Sequence, residues 1–200
     1  MSSAVIPEDR YEIRLSGSGG QGIILAAFIL AEAAGLVHGR HVCQTQSYGP
    51  AARGGTCRAE VVISSQPIDY PRVIQLDMLL AMNQASCDAF FADFKPHGLL
   101  LVDSTLVTQI PSRRVIALPF TRIARETTGS ELAANMAALG AISRCCPLVT
   151  ATGLEAALAA RVPADSKSMN RKAFRAGAAA ARLIDLTALP SSILPEEEEV

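Results

Sequence analysis

The sequence has no long basic block, no secretory leader pattern, no apolar run long enough to cross a bilayer and no clustered cysteines. Each absence removes a class of function. With 18 Lys and Arg against 19 Asp and Glu, the formal net charge is −1, so the chain lacks the electrostatic footprint that binds a nucleic-acid backbone. No nucleic-acid partner is expected. The N-terminus places Glu8 and Asp9 where a signal peptide needs a basic end followed by an apolar stretch. The most apolar helical run, residues 23–31, is stopped by Glu32, well short of the roughly 20 apolar residues that span a bilayer. A cytoplasmic chain without a membrane segment is expected. Cys43, Cys57, Cys87, Cys145 and Cys146 form an odd, scattered set and read as buried, reduced thiols, not as a disulfide framework or cluster ligands. His38, His41 and His97 are equally dispersed. No catalytic residue and no metal ligand is assigned.

Half of the 200 residues are apolar and the mean hydropathy is +0.27, which is high for a chain whose whole surface meets water. Part of the apolar surface is expected to face another subunit. The length suits one core. Residues 11–16 alternate like a strand, a glycine cluster follows, and residues 23–31 read as a helix. Residues 41–47 and 56–64 read as two strands around a turn-rich loop, 77–82 as a buried strand, 84–94 as a helix and 98–103 as a second buried strand. An edge strand is expected over 113–118. Helices are expected over 131–144, with an apolar stripe at Leu132, Met136, Leu139 and Ile142, and over 152–161 and 168–183. Alternating strands and helices predict an α/β fold: a single Rossmann-like domain with a largely parallel sheet flanked by helices and a C-terminal helical segment. The expected boundaries are an N-terminal extension over 1–10, the domain over 11–184, and an acidic flexible tail over 185–200 that carries Glu196, Glu197, Glu198 and Glu199.

The loop Gly17-Ser18-Gly19-Gly20-Gln21-Gly22 follows a predicted strand and opens a predicted helix, with glycines in the G-x-G-x-x-G spacing. Residues without a Cβ let a diphosphate approach the backbone, and the free N–H groups of a helix's first turn attract anions. A phosphorylated ligand suits such a loop, although the same glycines would also serve a tight turn. A dinucleotide site would further need an acid about 20 residues beyond the loop to grip ribose hydroxyls. Between Glu32 and Glu60 there is no Asp or Glu, while Arg40 and His41 lie near that place. NAD is disfavoured, and an NADP- or anion-binding module stands as an alternative. The second constellation, Ser47-Tyr48-Gly49-Pro50-Ala51-Ala52-Arg53-Gly54-Gly55, sets a planar guanidinium suited to phosphate or carboxylate beside glycines that admit close approach.

These two elements, together with the strand Ala59-Glu60-Val61-Val62-Ile63-Ser64, the following Pro67-Ile68 and Pro71, and the late Asn170-Arg171-Lys172-Ala173-Phe174-Arg175-Ala176-Gly177, resemble the gamma subunit of the 2-oxoacid:ferredoxin oxidoreductases. The ordered match runs from about Tyr11 to Ile184, and Ser-Tyr-Gly-Pro with Arg-Gly-Gly is its most specific part. The resemblance implies a multi-subunit enzyme that oxidatively decarboxylates a 2-oxoacid to its acyl-CoA. Thiamine diphosphate, Mg2+ and four-iron, four-sulfide clusters would sit in partner subunits of the alpha, beta and delta types, with ferredoxin or a flavoprotein as electron acceptor. This chain would pack on the thiamine subunits. It also implies a shared coenzyme A site at Gly17, Ser18, Gly19, Gly20, Gln21 and Gly22, and at Ser47, Tyr48, Arg53, Gly54 and Gly55. The beta subunit of indolepyruvate oxidoreductase shares this domain and is the neighbouring alternative; a wedge that only orders the thiamine subunits is another.

Overall fold

A computed structural model describes residues 10–48 and 56–190. Within them, six strands form one sheet: β1 (Tyr11–Ser18), β2 (His41–Tyr48), β3 (Thr56–Ser64), β4 (Leu76–Ala81), β5 (Phe94–Asp103) and β6 (Val115–Leu118). Their order across the sheet is β2-β3-β1-β4-β5-β6. β1, β4, β5 and β6 pair in parallel. β3 runs antiparallel to both β1 and β2, so β3 alone is reversed and the sheet is largely parallel, as the alternation of elements predicts. The helices are α1 (Ile23–Glu32), α2 (Gln84–Phe90), α3 (Phe120–Thr128), α4 (Ala134–Cys145), α5 (Ala151–Arg161) and α6 (Ala164–Ala181). None is long and apolar enough to cross a membrane.

Strand periodicity sends alternate side chains to opposite faces, and the two faces are covered differently. Ile13, Leu15, Met78, Leu80, Leu99 and Leu101 join the core formed with α1, α4, α5 and α6. On the other face Leu79, Ala81, Leu100 and Val102 pack against Cys87 of α2. α4 and α6 are pressed together through glycines: a Cβ on Gly177 would collide with the carbonyl of Ala137, and one on Gly140 with the carbonyl of Phe174. This gives the Asn170 to Gly177 motif a structural function, because only hydrogen fits where two helix backbones meet.

Four details depart from the sequence expectations. α3 has no counterpart among them; Pro119 precedes it and Gly129, with φ of 77°, closes it in the left-handed region. The helix expected over 84–94 ends at Phe90, and residues 91–93 form a 3-10 turn, because Phe94 must enter β5 opposite Leu76. Leu132 is not part of an apolar stripe. Residues 131–133 form a 3-10 turn ahead of α4, the turn shifts the helical phase, and Leu132 is left 76% exposed. Not all thiols are fully buried: Cys43 and Cys145 are intermediate, Cys57, Cys87 and Cys146 buried, and all five are free. The expectations that fall on residues 1–9 and 191–200 lie outside the described residues.

Burial pushes the thiols of Cys145 and Cys146 up to about 12 and that of Cys87 up to about 11. Since the thiolate is the nucleophile, Cys87, Cys145 and Cys146 are expected to resist iodoacetamide at pH 8 in the native chain and to react in denaturant, as peptide mass spectrometry would show. Early labelling of Cys146 in the folded chain would contradict this packing.

Candidate functional site

The strand order creates a crevice at the carboxyl ends of β1 and β4. From β1 the chain passes through α1 toward β2 on one side, whereas from β4 it passes through α2 toward β5 on the other. α1 and α2 pack on opposite faces of the sheet. A reversal of this kind is where open α/β sheets bind ligands. The glycine loop sits at this point.

Within the loop the glycines divide by function. A Cβ on Gly17 would press on Gln21 Oε1 and Ile23, and one on Gly22 would collide with the Asn135 amide. Gly22, with φ of 69°, and Gly20, with φ of 89°, are in the left-handed region that favours glycine. Gly19 is different. It is exposed, lies outside the left-handed region, and a Cβ there meets nothing within 4 Å. Gly19 and Gly20 therefore form an open floor, and α1 begins beside them with no side-chain cap and no acidic residue in its first turn. Its leading N–H groups and positive dipole end can take an anion.

Polar side chains hold this loop from below. Gln21 Oε1 accepts from Ser18 N at 2.6 Å, Gln21 N donates to Ser18 O at 3.2 Å, and Gln21 Nε2 donates to Met82 O at 3.2 Å. Asn135 Nδ2 donates to Gly22 O at 3.0 Å. Asn83 Nδ2 donates to Ser18 Oγ at 2.6 Å while Asn83 Oδ1 accepts from Ser86 N at 2.8 Å. Sequence reasoning missed both asparagines. Asn83 carries a legible signal, a cap residue directly after an apolar strand; Asn135 carries none, because its contact with Gly22 spans 113 positions.

The first two residues of the second constellation, Ser47 and Tyr48, reach the same end of the sheet. Gly17 pairs with Cys57, and Cys57 with Tyr48; Ser47 lies opposite Arg58. Ser47 and Tyr48 therefore end β2 two strand spacings from the glycine loop, about 10 Å. Arg53, Gly54 and Gly55 lie outside the described residues. The intervening β3 also explains why the dinucleotide grip has no counterpart here: β2 is not β1's neighbour, so no acid at its end would stand beside the loop.

A charged face runs along β1 and across β3 to β2. Thr45, Glu60 and Arg14 are successive cross-strand partners. Arg14, only 4% exposed, donates to Glu60 Oε1 at 2.9 Å, also pairs with Asp93, and lies over the Phe90 ring at 5.2 Å. Glu12, equally buried, accepts from the N–H groups of Ile74 and Gln75 at 2.6 and 2.8 Å. Beside this cluster a cavity of about 200 Å3 is lined by Thr45, Gln46, Ser47, Arg58, Glu60 and Arg72. A larger groove of about 680 Å3 lies far along the chain, between α5 and α6. On its rim Arg175 and Arg171 both bind Glu155, at 2.6 and 2.8 Å, and hold its carboxyl below the usual range.

A model of the pyruvate ferredoxin/flavodoxin oxidoreductase family matches residues 12–180. The 2-oxoglutarate synthase subunit KorC of Methanocaldococcus jannaschii is 45% identical over 172 residues, covering 84% of this chain and 92% of the relative. The solved gamma subunit of a keto/oxoacid ferredoxin oxidoreductase from Geobacter sulfurreducens aligns with a TM-score of 0.79 at 45% identity, over 87% of this chain and 97% of that one. A 2-oxoglutarate:ferredoxin oxidoreductase from Magnetococcus marinus, solved with 2-oxoglutarate, coenzyme A and succinyl-CoA bound, has the same fold as part of a longer chain: TM-score 0.79, 24% identity, 94% of this chain and 33% of that one. This chain thus belongs to the pyruvate ferredoxin/flavodoxin oxidoreductase family, as a gamma-type subunit of a 2-oxoacid:ferredoxin oxidoreductase.

Proposed function

We propose that this chain docks on thiamine diphosphate-binding subunits and supplies the wall of the coenzyme A site in an enzyme that converts a 2-oxoacid to its acyl-CoA. The observation that carries the reading is the open floor at Gly19 and Gly20 beside the uncapped start of α1. There the leading N–H groups of α1 would donate to a phosphate of coenzyme A, and the absence of a Cβ at Gly19 would let that phosphate reach the backbone. Ser47, Tyr48, Arg53, Gly54 and Gly55 would approach the same ligand from the neighbouring strand end, with the Arg53 fork offsetting negative charge. The thiamine cofactor, with its Mg2+, and the iron–sulfur clusters would belong to alpha-, beta- and delta-type partners, where the cofactor supplies an electron sink for decarboxylation. This chain's own part is to bind and orient the acyl acceptor. The relatives' names make 2-oxoglutarate the first substrate to assay, and ferredoxin the first acceptor.

Hydrogen–deuterium exchange on the assembled enzyme, with and without coenzyme A, tests the assignment. Slower exchange of the amides of residues 18–25 on adding coenzyme A is expected. Protection elsewhere, with that segment unchanged, would remove the ligand from the loop.

A further inference from the structure

The crevice is shaped by a residue outside the loop itself. Asn83 follows β4 and caps α2, and its amide orientation is settled by its partners: Oδ1 accepts from Ser86 N at 2.8 Å, so Nδ2 is the end that faces the glycine loop. That Nδ2 donates to Ser18 Oγ at 2.6 Å and to Gln21 Oε1 at 3.4 Å. A hydroxyl has one hydrogen to donate and room to accept two. Ser18 Oγ accepts from Asn83, and among the described residues no acceptor takes its own hydrogen.

We propose that Asn83 is a positioning residue for the anion crevice: by donating into Ser18 Oγ from below, it leaves the Ser18 O–H turned outward, as a donor to a phosphate oxygen bound over Gly19. The ligand site is thereby built from both sides of the strand-order reversal, with Ser18 on the β1 side and Asn83 on the β4 side. Gln21 completes the support, since its Oε1 accepts from Ser18 N and from Asn83 while its Nε2 reaches Met82 O. A preset hydroxyl needs no reorganisation when the charged oxygen arrives, and hydrogen bonds to charged acceptors are the strong ones. The inference rests on the reading of the loop as a coenzyme A site.

Steady-state kinetics of the assembled enzyme test it, with Gly19→Asp as the reference that reports on the loop reading alone. Asn83→Ser keeps an oxygen to cap α2 and removes only the amide donors. Ser18→Ala and Asn83→Ser are each expected to raise the coenzyme A KM about five- to tenfold, with the KM for the 2-oxoacid within about twofold of the parent. Because both act on one hydroxyl, the double variant should be no worse than the poorer single variant. Asn83→Asp, which also keeps the cap, is expected to raise the coenzyme A KM at least as far, because a carboxylate there accepts the Ser18 O–H and turns it inward. If Gly19→Asp raises the coenzyme A KM while Asn83→Ser and Asn83→Asp leave it unchanged, or if the effects of Ser18→Ala and Asn83→Ser multiply, the positioning function is wrong and the coenzyme A reading survives. An unchanged KM in Gly19→Asp overturns the reading of the loop and this inference with it.

Discussion

Gly19→Asp in the assembled enzyme is expected to raise the coenzyme A KM by about ten- to a hundredfold, the range spanned by losing one hydrogen bond to a charged group. The new carboxylate would face the same N–H groups as the phosphate and repel it. The fold should be indifferent, because a Cβ at Gly19 meets nothing within 4 Å and the position has no left-handed backbone to strain. A shift in thermal midpoint of no more than about 2 °C is therefore expected, as for an ordinary surface substitution. Gly22→Asp makes the instructive contrast. Its Cβ collides with Asn135 and its φ is 69°, so it should lose stability as well as affinity. Parallel losses of stability at both positions would mean that the loop serves folding alone.

The second large effect is structural. Gly177→Val is expected to destabilise the chain by about 3 kcal/mol or more, at or beyond the upper end of ordinary overpacking, because the added carbon meets backbone that cannot rotate away. The collision is with the Ala137 carbonyl of α4, so relief requires α6 to move as a body. Ala179, exposed on the same helix, is the control: Ala179→Val should cost only the few tenths of a kcal/mol of helix propensity. Urea unfolding of the two variants would separate them. Equal midpoints would show that α4 and α6 do not meet at these glycines.

The difference between the two glycines was only partly legible in the sequence. Spacing and context marked Gly17, Gly19 and Gly22 as one motif, yet the structure assigns Gly17 and Gly22 to packing and leaves Gly19 and Gly20 open. Spacing alone cannot make that distinction, because the obstructing groups, Asn135 above all, come from a distant helix. The strands were legible where apolar residues recur with period two or run together, as in β1 and β4. α3 was not, since its buried set is small, Phe120, Thr121 and Ala124, and apart from Ile123 its remainder is charged and polar. The hydrophobic pattern also misassigned Leu132, because a single 3-10 turn rotates the phase that the 3.6-residue period presumes. The insertion of β3 between β1 and β2 was hidden for another reason. Strand neighbours are set by long-range pairing, and both a β1–β2 and a β1–β3 contact suit the same alternation.

The charged partners behave likewise. Arg14 and Glu60 read as the polar positions of two half-buried strands, and nothing local shows that they are paired and buried and that Arg14 stacks on Phe90. Once seen, the pair explains how β1 can be the buried central strand and still carry Glu12, Arg14 and Ser16 on one face. Arg14 is matched across the sheet by Glu60, and Glu12 by Arg10 and the N–H groups of Ile74 and Gln75, as the cost of burying a lone ion requires. The same face ends at Ser47 and Arg58, beside the site.

The most direct test of the account is purification of this chain from its own organism under anoxic conditions, followed by identification of its partners and assays for iron, sulfide and thiamine diphosphate. The expected result is a brown complex with thiamine-binding and iron–sulfur subunits whose reduction of a low-potential acceptor requires both a 2-oxoacid and coenzyme A. A lone, colourless chain that binds NADP and carries no such activity would contradict it.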